Sequence, residues 1–119
     1  MPDMEKLEKS VMEIAAEAWR FHGVFRRLLS RMDPVQAERY ANQYAWFMKK
    51  VASALEDAGL HMVSVEGQPF DPGMAVTPLN MDDFDAEDEL YVTQMLEPNL
   101  MDDTSVRRMG VVMLGRKDG

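Results

Sequence analysis

A seven-residue apolar repeat dominates the start of this chain. Met4, Val11, Ala18, Phe25 and Met32 recur every seven positions, and Leu7, Ile14, Phe21 and Leu28 fill a second apolar slot between them. Four consecutive repeats predict one long α-helix whose seam faces another helix, because a 3.5-residue period keeps one stripe turned toward a partner along its length. A helix of about 28 residues would rise roughly 42 Å, more than the width of a compact domain of this size. Trp19 and Leu29 widen the stripe, which favours a bundle over an isolated two-stranded coil. An intramolecular helical hairpin is the alternative cover for such a face.

The repeat breaks at Asp33-Pro34. Asp33 is suited to cap a following helix, Pro34 to its first position, and Gln36 to the third position of a capping box. A second helix is expected to run to about Ala58, with Tyr40, Tyr44, Phe47, Met48, Val51 and Leu55 on one face and Gly59 ending it in the left-handed conformation. Asp33-Pro34 permits either a hairpin or a bent rod. The two helices carry more apolar face than one hairpin can bury, so a homodimer with a four-helix arrangement is expected. Its interface would be Leu7, Val11, Ile14, Ala18, Phe21, Phe25 and Leu28.

After Gly59 the helical period gives way to short β-type runs. His61 to Glu66, Met74 to Leu79, Leu90 to Leu96 and Val106 to Leu114 read as strands, separated by Gly67-Gln68-Pro69, Asp71-Pro72-Gly73 and Glu97-Pro98-Asn99 turns. The expected fold class is therefore α+β: a helical dimerisation region over 1–59, then a small antiparallel β head over 60–119.

Charge separates the same two halves. Residues 1–59 hold nine acids and nine bases, whereas residues 60–119 hold twelve acids and four bases and so carry the whole net charge of −8. Such a head repels nucleic-acid phosphate and anionic lipid, so neither nucleic acid nor a membrane is expected as a partner. Six acids, Asp82, Asp83, Asp85, Glu87, Asp88 and Glu89, lie within eight positions. A calcium loop numbered from Asp83 would need glycine at Asp88 and a bidentate acid at Gln94, so the run reads as a solvated loop or as a steering surface for a basic partner.

The chain offers little catalytic chemistry. With no cysteine among 119 residues, it has no disulfide, thiolate nucleophile or thiolate metal site. His22 and His61 stand in different halves outside any metal-binding spacing, and neither a phosphate loop nor a nucleophile elbow is present. The expectation is a non-enzyme with no cofactor and no metal. The twelve methionines read as core filling, with adaptable recognition as the alternative. No apolar stretch approaches the roughly 18 residues of a membrane span, and Asp3, Glu5, Glu8 and Glu13 interrupt any signal-peptide core. A cytoplasmic protein is expected.

One stretch resembles a known family. Leu55-Glu56-Asp57-Ala58-Gly59-Leu60 leads to Val65-Glu66-Gly67-Gln68-Pro69-Phe70-Asp71-Pro72, and Ala75-Val76 follow. This is similar to GrpE, the nucleotide exchange factor of DnaK-type chaperones, in which a helix closes on glycine before a Gly-x-x-Phe-Asp-Pro turn and an Ala-Val pair. Val106-Arg107-Arg108-Met109 resembles that family's Arg-Pro-Ala strand, with Arg107 at the arginine position. Gly73-Met74 stands where the family has a longer connection containing His-Glu. The resemblance implies a homodimer whose β head binds the chaperone's ATPase domain and expels ADP, with Phe70 and Asp71 shaping the turn on the binding surface and Arg107 as the charged contact. The alternative is a dimeric adaptor or secretion-type chaperone that keeps this architecture without exchange activity.

Overall fold

The computed structural model describes residues 3–117, and the chain divides into a helical unit ending at His61 and a β unit beginning at Met62. The α+β architecture expected from the sequence is the one found.

In the helical unit, α1 spans Met4–Leu29 and α2 spans Pro34–Asp57, 26 and 24 residues respectively. The Asp3 carboxylate accepts from the Glu5 N–H at 2.9 Å, satisfying one of the orphan donors of the first turn. Arg26 and Arg27 place positive charge in the last turn, opposite the negative end of the helix dipole. Pro34 opens α2 as expected, but the Asp33 side chain makes no capping bond, and the exposed first turn is left to solvent. Gly59 closes the segment with φ +77°, while the Leu60 N–H returns to the Leu55 carbonyl at 2.9 Å.

The helices form a hairpin. The rings of His22 and Phe25 on α1 stack on Tyr44 of α2, with centroids 5.2 and 5.3 Å apart. The deepest helical positions are Ala15, Ala16 and Ala18 on α1 and Leu55 on α2. The buried stripe is thus offset from the heptad seam, of which Ala18 is buried and Phe25 and Met32 are half-buried.

The described residues form six strands, β1 (His61–Val63), β2 (Val76–Pro78), β3 (Leu90–Glu97), β4 (Asn99–Met101), β5 (Val106–Arg108) and β6 (Gly110–Arg116). They form two three-stranded sheets, ordered β1-β4-β5 and β2-β6-β3. The pairing of β3 with β6 is antiparallel, from Leu90 opposite Arg116 to Glu97 opposite Val111, with irregularities at Val92/Gln94 and Met95/Glu97. Alternation buries Leu90, Val92 and Met95 of β3 with Val112 and Leu114 of β6, each side chain contributing about 1.5–3 kcal/mol by leaving water.

Three details differ from the sequence expectation. The head is mixed, because β2 runs parallel to β6, with Val76 opposite Gly110 and Pro78 opposite Val112. The Asn80 side chain extends that edge by donating to the Leu114 carbonyl at 3.0 Å and accepting from its N–H at 2.9 Å. The first strand stops at Val63, since residues beyond it bond to the edge of β3 instead. Finally, the expected last strand is two strands in two sheets. They divide at Met109, where the buried Asn99 side chain takes the Gly110 N–H and the chain crosses from one sheet to the other.

Candidate functional site

The segment carrying Phe70 and Asp71 is fixed by backbone bonds to β3. Gly67 donates to the Val92 carbonyl at 2.8 Å, Val92 to Gln68 at 2.9 Å, and Phe70 to Leu90 at 2.9 Å. The Gln68 N–H also returns to the Val65 carbonyl at 3.0 Å, closing a turn in which Gly67 has φ +85°. That conformation is expensive for a side-chain-bearing residue, which accounts for glycine here. The Glu66 carboxylate accepts from the Met95 N–H at 2.9 Å where β3 bulges and its own ladder is interrupted.

Asp71 and Phe70 then have distinct local roles. The Asp71 carboxylate accepts from the Gly73 N–H at 3.1 Å and its carbonyl from the Met74 N–H at 2.9 Å, so this exposed acid organises the turn through Pro72. Half-buried Phe70 lines a cavity of about 370 Å³, together with Pro69, Pro72, Met81, Ala86, Leu90 and the charged residues Asp85, Asp88, Glu89 and Lys117.

Arg107 stands elsewhere in the β unit. It lies on β5, in the other sheet, and does not line this cavity. Its side chain is 42% exposed, with the guanidinium 3.9 Å from the Asp102 carboxylate. Asp102 accepts from the N–H groups of Thr104 and Ser105 at 2.8 and 2.7 Å, bracing the loop between β4 and β5. Those bonds, Thr104 first, hold its carboxyl below the ordinary carboxylate range. The neighbouring Arg108 makes a 3.0 Å pair with Glu97.

The acidic run is partly structured rather than uniformly solvated. After a single 3₁₀ turn at Met81–Asp83, the Asp88 carboxylate accepts from the Asp85 N–H at 2.9 Å and from Arg116 Nε at 3.2 Å. The Asp85 bond, followed by Arg116, lowers the Asp88 pKa. Arg116 also lies over the Phe84 ring, its Cζ 5.5 Å from the centroid. Among the described residues, no group of three or more acids and histidines is placed to hold a metal ion.

In the helical unit, the seam residues Leu7, Val11, Ile14, Phe21 and Leu28 are 36–69% exposed. They form an apolar stripe that the chain's own hairpin does not cover. Among the described residues, no helix is long and apolar enough to cross a membrane.

The sequence singled out Phe70, Asp71 and Arg107, and the structure places the first two in one turn and the third in a different sheet. It did not reveal the cavity, whose walls come from residues 69–72, 81–90 and Lys117. The nearest local signal was the apolar-acid alternation of Phe84-Asp85-Ala86-Glu87. The chain matches no protein-family model, no curated protein and no solved structure.

Proposed function

We propose that this protein is a GrpE-like co-chaperone of the cytoplasm, a homodimer that binds the nucleotide-binding domain of a DnaK-type chaperone and promotes ADP release. The observation that carries the reading is the Gly67–Pro72 turn, bonded along β3 in a β unit that follows two long helices. Both its residue pattern and its place in the order of elements agree with the family resemblance.

Exchange of this kind uses no catalytic side chain. A protein that prefers the open ATPase domain to its ADP-closed form raises the population of the open form in proportion to that preference, and ADP leaves. Phe70 and Asp71 would supply a rigid contact surface and Arg107 a charged one. The uncovered seam from Leu7 to Leu28 supports a homodimer, because burying each large aliphatic or aromatic side chain contributes about 1.5–3 kcal/mol.

A specific observation favours a second reading, a dimeric adaptor or secretion-type chaperone without exchange activity. Arg108 occupies the family's proline position and is held by Glu97 at 3.0 Å, so the surface around Arg107 differs from the family pattern.

Release of fluorescent ADP from a purified DnaK-type chaperone distinguishes the two. The exchange factor accelerates release, and Arg107→Ala abolishes most of the acceleration while leaving thermal stability nearly unchanged, since exposed ion pairs contribute little. Binding without acceleration would instead select the adaptor.

A further inference from the structure

We infer that the cavity beside the acidic loop is a docking site for an arginine side chain in an apolar segment of a partner protein. The cavity has two chemically different parts. Pro69, Phe70, Pro72, Met81 and Leu90 are its apolar lining residues, and Asp85, Asp88 and Glu89 its acidic ones. Its volume, about 370 Å³, lies near the lower end of small-molecule sites and accommodates a long side chain with an apolar neighbour.

Charge complementarity selects the occupant. The Asp85 and Glu89 carboxylates make no hydrogen bond or ion pair with another described residue, and the β unit around them carries the chain's excess of acids. Asp88 is already engaged by Arg116, and Lys117 adds one positive charge to the lining. Two carboxylates therefore remain for an incoming cation. Arginine fits this combination because its aliphatic stem packs on apolar surface while its planar fork binds carboxylates, often in pairs. The loop already holds one guanidinium in this manner, with Arg116 between the Asp88 carboxylate and the Phe84 ring.

This site shares Pro69, Phe70 and Pro72 with the turn that carries the co-chaperone reading, but its occupation requires neither dimerisation nor ADP exchange. The probe is the capped tripeptide acetyl-Leu-Arg-Leu-amide, titrated into the full-length protein while backbone amide shifts are followed by NMR. Saturable shifts are expected at Phe70, Ala86, Leu90 and Lys117. Replacing the peptide's arginine by its uncharged isostere citrulline should weaken binding about tenfold, as expected for loss of charge-assisted hydrogen bonds. Asp85→Asn with Glu89→Gln should weaken it similarly, with spectra away from the loop unchanged. Lys117→Ala should strengthen it by removing the opposing charge. Absence of saturable shifts at millimolar peptide, equal binding of the citrulline peptide, or undiminished binding to the double variant would each overturn the assignment.

Discussion

Asn99 and Gly110 show how single residues set the path of the β unit. A Cβ on Gly110 would lie 2.6 Å from Asn99 Oδ1, 2.6 Å from Met95 Cε and 2.7 Å from the Glu97 carbonyl oxygen. Two of these neighbours are fixed, one as backbone and one as the buried acceptor for the Gly110 N–H. Gly110→Ala is therefore expected to cost about 1–3 kcal/mol through overpacking, measured as a lower denaturant midpoint with an unchanged slope. Asp102 gives a pH-dependent prediction. Its pKa is depressed in the folded protein, so its ionised form stabilises the fold above the unfolded carboxylate value of about 3.9. That stabilisation is lost as pH falls through the lower folded value. Asn resembles the neutral acid, so Asp102→Asn should lower Tm at pH 7 by a deficit that shrinks as pH falls below about 4. A deficit constant down to pH 2 would show that the carboxylate's charge is not what braces the loop. At this scale Asp71 was legible as a turn former, because its bonds reach only two or three residues. The Asn99–Gly110 contact was not, because the partners stand eleven positions apart in sequence and only the fold brings them together.

The helices were the most legible elements, since their signals are local: a heptad stripe, Pro34 at a helix start and Gly59 at an end. Sequence could not decide between a hairpin and a bent rod, because that choice depends on the stacking of His22 and Phe25 on Tyr44. The strands were less legible for a related reason. Alternation tells which side chains share a face, but not which strand lies alongside or in which direction. Val106 to Leu114 therefore read as one strand although β5 and β6 belong to different sheets, and the parallel partnership of β2 with β6 left no local mark. The seam supplies the prediction for this scale. Ile14 and Phe21 are 69% and 55% exposed, so Ile14→Glu with Phe21→Glu should leave the hairpin intact while placing charge in the proposed dimer interface. Light scattering at micromolar concentration should give twice 13.6 kDa for the unaltered protein and 13.6 kDa for the double variant, with equal helical circular dichroism. An unaltered protein of 13.6 kDa would rule out the dimer.

For the whole molecule, the division of charge parallels the division of structure. The helical unit is nearly neutral and presents an apolar stripe, whereas the β unit is strongly acidic and presents a rigid turn, an exposed arginine and a lined cavity. The surfaces suited to apolar association and to charged recognition thus lie in different parts of the chain. The proposed exchange activity imposes a thermodynamic requirement on their combined behaviour. If binding of this protein weakens ADP on an ATPase domain, ADP must weaken this protein by the same factor. The decisive measurement is calorimetric titration of the protein into a DnaK-type nucleotide-binding domain, once nucleotide-free and once saturated with ADP. An exchange factor binds the nucleotide-free domain more tightly, by about 5–150-fold for a coupling of usual strength. Equal affinity in the two states, or no binding to either at micromolar concentration, would contradict the proposed function.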